Sequence, residues 1–410
     1  MLSRDHFLVL TYLSIAVLSA AVWRLRGAEL AQLEINALIL LTLCFGLMLV
    51  QLLPLPQSLW SVMGGRAFIV DGLTATQQTD AWLTLSLSPE ATRQDILALL
   101  PGAAMFIAML SLSREGTIAL VFSIAGLALL GLLLSIVQKT AALATGGFVN
   151  PNFFAAQLYM SIPFVIFLAT RSSNKLMWIL AGAIVLFCII GIGQSGSRFG
   201  LFIGLGVAFT SALNSARVSH TFAAYGFMAA TVLTVVVLLF GGAGLERIAG
   251  LQTALSARTQ IFNTSLQALF SFLPVGSGFG SFVPVYQLFE TPTQVTPRYV
   301  NHAHNDWVEL LIEGGLFVAV LMVSFLRWFG QALYTAWDRN SELGKAAAIS
   351  IFAVLLHSLA DYPLRTPALL VLFACCCAVL ARVAVPRKND KRSEPLWTFE
   401  PNLTQAKVIM

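Results

Sequence analysis

Charge is what this sequence has least of. Asp, Glu, Lys and Arg together make up only 10% of its 410 residues, while hydrophobic residues make up 58%. A soluble domain carries about a quarter charged residues, so that class is excluded. Cysteine is scarce as well, and all five, Cys44, Cys188 and Cys375 to Cys377, lie inside apolar runs. A disulfide framework or a zinc site is therefore not expected. Consecutive cysteines on a helix point about 100° apart and cannot converge on one ion, so they read as membrane-facing filler. No solenoid-type period and no low-complexity tract occurs. The turn Gly276-Ser-Gly-Phe-Gly280 has no following helix of the nucleotide-loop type, which makes it a weak phosphate loop. The net charge of +5 comes largely from the C-terminal tail, so no nucleic-acid partner is implied.

Apolar runs are what the chain has in abundance, and the mean hydropathy is +0.82. Candidate spans fall at roughly 7–23, 35–53, 94–112, 117–137, 152–170, 175–193, 199–213, 221–240, 307–326, 346–360 and 366–384. The sequence is thus read as an all-α, polytopic helical membrane protein with about 11–12 transmembrane helices. The first run is long and is followed at once by Arg24 and Arg26, so it is expected to be retained rather than cleaved. Lys and Arg concentrate in the segments on the side of the C-terminal tail, which places that tail in the cytoplasm. Eleven spans then put the N-terminus outside, and a twelfth would reverse it. Two long outer connections emerge, near 54–93 and 241–306. The second is long enough to suggest function, and Ile261 to Phe270 within it reads as a short interfacial helix.

The polar residues gather at a few places. Asn301-His-Ala-His-Asn-Asp-Trp-Val-Glu309 sets two histidines and several acids and amides at the edge of an apolar run. Asp306 followed by Glu309 is the pattern of a reciprocal N-cap, so a helix is expected to begin near Trp307. His304 would sit just outside its positive end, where an anion is favoured and imidazolium is not, leaving His304 neutral and able to accept a proton. If extended, His302 and His304 point the same way. Either could serve as a packing or capping residue, and with Asp306 or Glu309 they could bind zinc, although no third and fourth ligand appears at recognisable spacing. Glu309 and Glu313 stand one turn apart near the membrane edge, where ionisable groups usually face a cavity.

Arginines predicted on the outer side run against the topology signal. Arg198, Arg258, Arg298 and Arg365 are all expected on the side of His304, and guanidinium groups grip phosphate oxygens as rigid forks. Bland readings stand beside this one. Arg198 could snorkel to lipid headgroups, Arg298 could be solvated, and Arg365 could pair with Asp361 one turn away. Arg258 is expected to open the interfacial helix, where the dipole disfavours a cation, which strengthens a functional reading. Asn150-Pro151-Asn152 reads first as a helix start and second as a pair of sugar-binding amides.

These pieces together resemble the O-antigen ligase and O-antigen polymerase superfamily of bacterial membrane glycosyltransferases. The resemblance rests on His304-Asn305 with Gly315 downstream, on Ser197-Arg198 heading a span, on Arg258 ahead of Pro274-Val-Gly-Ser-Gly-Phe-Gly280, and on His357-Ser-Leu-Ala-Asp-Tyr-Pro363. It covers about 145–385, leaving 1–144 as an N-terminal membrane region and 386–410 as a basic cytoplasmic tail. Val318 departs from the family pattern, which leaves the polymerase reading open beside the ligase one. The resemblance implies a cavity open to the periplasm of the bacterial inner membrane and metal-independent glycosyl transfer without a cofactor. It implies an undecaprenyl-diphosphate-linked glycan as donor and a glycan, lipid A or protein as acceptor. Carried over by position, Arg198 and Arg258 would hold the diphosphate and His304 would act as base. Asn150, Asn152, Arg298, His302, Asn305, Glu309, Asp361 and Arg365 would line the substrate. A transporter or channel for an anion or glycan, with the arginines as a filter, is the alternative.

Overall fold

The structure is a computed structural model that describes residues 4–78, 80–137, 145–215, 221, 228, 244–292, 294–295 and 299–383. Its first helices are α1 (Arg4–Leu25) and α2 (Gln32–Val50). A cap then follows, made of β1 (Pro54–Pro56), α3 (Gln57–Trp60), α4 (Ala67–Ala75) and β2 (Trp82–Thr84). After it come α5 (Pro89–Ser111), α6 (Arg114–Val137), α7 (Pro151–Thr170), α8 (Lys175–Ser195), α9 (Arg198–Leu213), α10 (Gly244–Phe272) and α11 (Phe282–Phe289). The chain closes with α12 (Asp306–Asp338), α13 (Glu342–His357), a 3-10 turn (Pro363–Arg365) and α14 (Pro367–Val383). Each expected span coincides with a helix except the one near 221–240, which lies outside the described residues. Among the described residues, seven helices are long and apolar enough to cross a membrane, and the protein is an all-α, multi-pass membrane protein.

The bundle is built around α7. Asn150 caps it by accepting from the Asn152 amide at 2.9 Å, and Pro151 occupies the first helical position, where a missing N–H costs nothing. Nearly every side chain from Phe153 to Phe167 is buried, because α6, α8, α9 and α13 all pack against it. Cys188 and Cys375 to Cys377 are buried in this core. The expectation that the cysteines face lipid is thereby corrected for these four: a small apolar side chain suits close helix packing.

The outer segment 54–93 is an ordered cap rather than a loop. β1 and β2 pair antiparallel with Pro54 opposite Thr84, and the Trp60 indole donates to the Thr84 carbonyl at 2.8 Å. Arg66 is wholly buried. It stacks on the Trp60 ring and donates to the carbonyls of Gly64 at 2.9 Å, Leu85 at 2.8 Å and Gly276 at 3.2 Å. Arg66 is thus a clamp joining the cap to the glycine-rich turn.

That turn closes a break in α12. Gly315 sits at φ 59, ψ −147 inside the helix, a conformation open essentially to glycine alone. The break frees carbonyls that must find donors, and the turn supplies them. Ser277 N–H reaches Ile312 O at 2.9 Å and Gly278 N–H reaches Glu313 O at 2.8 Å, while Leu316 N–H donates to Pro274 O at 2.9 Å. The Gln51 amide adds another bond to Glu313 O at 2.9 Å. At Gly276 a β-carbon would meet Glu313 O at 2.6 Å. The glycines therefore permit backbone to approach backbone, and α11 follows the turn without a phosphate site between them.

Two local expectations shift. Asp306 was expected as the N-cap, but Asn305 holds that place, its side chain accepting from Val308 N–H at 3.1 Å. The interfacial helix expected at 261–270 belongs to the longer α10, so Arg258 lies in a helix interior and the dipole argument for it falls away. Gly315→Ala should strain the break and push a methyl group into Pro274 and Val275. We expect a loss of about 1–3 kcal/mol or more, seen as a lower melting temperature of the detergent-purified protein.

Candidate functional site

Helix N-termini converge at one end of the bundle. The start of α12 docks on the end of α13, with Asp306 N–H donating to Ser358 O at 2.9 Å and the Asn305 amide donating to Leu359 O at 3.0 Å. The start of α7 reaches the same place, because the Asn152 amide donates to the Asp361 carboxylate. The start of α9 joins them through Phe199, whose ring meets the His357 ring at 5.6 Å. Ser197 caps α9 by accepting from Gly200 N–H at 3.2 Å. Three positive helix ends therefore face one region, and a negatively charged ligand is favoured there.

His304 stands in the middle of this region. Its φ of 50° is left-handed, a conformation uncommon for a non-glycine residue and found where surroundings enforce it. Its Nδ1 lies 3.4 Å from Asp361 Oδ1, with the side chain 27% exposed and the carboxylate 1% exposed. Nδ1 itself is buried and, at this distance, makes no hydrogen bond, so its contact with Asp361 is electrostatic. Burial raises the Asp361 carboxyl's pKa, but His304, His357 and the Arg258 guanidinium outweigh it and hold the group below its ordinary value. Arg258 thus acts on the same carboxylate that faces His304. Arg198 opens α9 beside Phe199 and is exposed.

His302 belongs to a second imidazole–carboxylate pair. Its Nδ1 lies 2.8 Å from Glu309 Oε1, and Glu309 Oε2 accepts from Ala303 N–H at 2.8 Å. The extended backbone that would point His302 and His304 the same way is not formed, because His304 is left-handed. Both rings contact Tyr362, at centroid distances of 4.1 Å and 5.2 Å. Burial, followed by Asp361, raises the pKa of the Tyr362 hydroxyl, and the nearby Asn301 and Asn150 side chains act to lower it.

Arg365 does not pair with Asp361. Its guanidinium reaches Glu313 at 2.8 Å, Glu309 at 3.4 Å, Asp306 at 3.6 Å and Asp95 at 3.8 Å. Burial disfavours its charge, but Glu309, Glu313, Asp95 and Asp306 outweigh that and hold the guanidinium protonated well beyond its ordinary range. Glu313 also accepts from Gly280 N–H at 3.0 Å. Arg365, Glu309 and Glu313 therefore have their charges met inside the protein, and Glu313 is buried rather than facing a cavity.

The structure brings together Asn150, Asn152, His302, His304, Asn305 and Asp361, with Arg258 acting on them electrostatically. Arg298 lies outside the described residues. Sequence reasoning missed Tyr362, although it closes the quoted run His357 to Pro363. It also missed Tyr159, whose hydroxyl meets His357 Nδ1 at 2.9 Å. Aromatic residues carry no local pattern that marks them as site members. Among the described residues, no group of three or more His, Cys, Asp or Glu side chains is placed to hold a metal ion. Beside Arg258, a cleft of about 430 Å³ runs between Thr259, Gln260, Asn263 and Gln267 of α10 and Phe289 and Gln294 across from them.

In this multi-pass membrane bundle an imidazole, a carboxylate and an exposed arginine stand at or near a junction of helix N-termini. The O-Antigen ligase family matches this chain over residues 158–323, and over that segment the chain is similar to the family. Arg198, Arg258, His304 and Gly315 fall within the matched segment, while Asn152, Asp361 and Arg365 lie outside it. No curated protein matches the chain significantly.

Removing the guanidinium should leave buried carboxylates without a partner. Arg365→Met is expected to cost about 3–5 kcal/mol, measured as thermal or denaturant unfolding in detergent. For Asp361 the lowered pKa sets the pH window. Its contribution is complete above the unfolded carboxyl value, about 3.9, and is lost as pH falls through the lower folded value. Asp361→Asn should therefore flatten the stability profile below about pH 4, read from unfolding midpoints at a series of pH values.

Proposed function

We propose that this protein transfers a glycan from an undecaprenyl-diphosphate donor to a growing glycan or another acceptor, on the periplasmic face of the bacterial inner membrane. The observation that carries the proposal is the His304–Asp361 pair at a junction of helix N-termini, with Arg258 acting on the same carboxylate. Asp361 facing Nδ1 would keep that nitrogen protonated and leave Nε2 to accept. An acceptor hydroxyl would lose its proton to Nε2 as its oxygen attacks the anomeric carbon. The bond to the diphosphate breaks in the same step, and the electron pair leaves with the phosphate oxygen. Arg198, Arg258 and the helix ends would offset the charge that develops there. Direct displacement inverts the anomeric carbon.

The cleft along α10 supports the glycan part of this reading. An interfacial helix normally wears Lys and Arg on its polar face, whereas this one offers amides and hydroxyls, which suit sugar hydroxyls, beside an aromatic ring. The transport reading would draw on the broken helix α12. Here the break is packed by the glycine-rich turn, which favours a structural role for it. His304→Ala should lower transfer by about 10²–10⁴-fold while the protein stays in the membrane with an unchanged melting temperature. The assay is incubation with a labelled lipid-diphosphate glycan. Longer glycan on the same lipid identifies a polymerase, and label on another acceptor identifies a ligase. Undiminished transfer by the variant would remove His304 from the role of base.

A further inference from the structure

The bundle holds a large apolar cavity to which the proposed chemistry assigns no role. It measures about 410 Å³ and is partly open, with Leu41 of α2, Phe106 of α5, Leu321 and Phe325 of α12 and Phe373 of α14 on its walls. Ala98 and Ala374 also face it, leaving space that longer side chains would fill. Helices in a bilayer usually close upon such small residues, and these do not. Water gains few partners along carbon walls, and an unfilled volume of this size costs its lining many dispersion contacts. Hydrocarbon is the medium that satisfies the walls, and the bilayer supplies it.

The polar end of the cavity states what kind of lipid fits. Asp95, Asp306, Ser358 and Arg365 close it. The charge of Arg365 is already taken up by four carboxyl groups, so it does not invite a phosphate. Asp95 is the least engaged of the four, 33% exposed and in contact with Arg365 only at 3.8 Å. An anionic head group would meet its carboxylate at close range and be repelled, whereas an ammonium group would be attracted. We propose that this cavity holds an alkyl chain of a membrane lipid whose head group bears an ammonium, with Asp95 as the head-group partner. The cavity adjoins the His304 junction through Asp306 and Ser358, and the proposal stands whether or not the chain transfers glycans.

The test uses the full chain in vesicles of phosphatidylethanolamine and phosphatidylglycerol, with a photoactivatable diazirine on the acyl chain of one lipid or the other. Crosslinked peptides are then located by mass spectrometry. In the wild type, the ethanolamine lipid should label the segments around Phe106 and Phe325 several-fold more than the glycerol lipid. Ala98→Phe and Ala374→Phe, each checked for an unchanged melting temperature, should remove that labelling. Asp95→Asn, a conservative change, should keep the labelling but abolish the preference for ethanolamine. Equal labelling by both lipids in the wild type would overturn the proposal, as would an unchanged preference in Asp95→Asn. Displacement of the label by a polyprenyl diphosphate would also overturn it, by assigning the space to an anionic isoprenoid.

Discussion

One guanidinium among four carboxyl groups holds the outer end of this protein together. Arg365 joins Asp95 of α5 to Asp306, Glu309 and Glu313 of α12, and so ties the turn after α13 to two helices distant in sequence. Charges this buried are costly unless matched, and the match is made only when the three segments lie in one arrangement. The site inherits its geometry from that requirement. Glu309 is held by Arg365 and in turn holds His302 and the Ala303 amide, which fixes the strand of chain leading to His304. Glu313 anchors the glycine-rich turn through Gly280, and the turn stabilises the break at Gly315.

The same end of the bundle is electropositive for a different reason. Helices α7, α9 and α12 begin there, and their unpartnered amides add to the field of Arg258. Asp361 answers that field, accepting from Asn152 and from its neighbour's Tyr362 N–H at 3.0 Å. His304 faces Asp361 only because its backbone is left-handed. The conformation is held by Tyr362 against the ring and by the Asn305 cap behind it. Strain and support are concentrated on one residue, as expected where a side chain must be aimed rather than merely packed.

Some of this was legible in the residues and some was not. The helix start at Asn150-Pro151 and the prominence of His304 could be read locally, because capping and polarity act over a few residues. The partners of Arg365 could not. Asp361, one helical turn away, was the natural candidate, yet the guanidinium turns toward acids as far off as Asp95. Nothing local marked Arg66, whose partners are carbonyls on three separate segments. Arg258 was valued for a helix start that lies fourteen residues earlier, at Gly244, although its field does reach Asp361.

By itself the sequence determined that this is an all-α membrane protein, roughly where its helices run, and which short polar stretch to suspect. Those properties follow from hydropathy and local backbone preference, which are written residue by residue. The tertiary structure alone decided which carboxylate faces which imidazole, that Tyr362 contacts both histidines, and that an apolar cavity ends at Asp95. These depend on contacts between residues far apart in the chain, and such contacts leave no periodic or local mark because burial, not spacing, selects the partners.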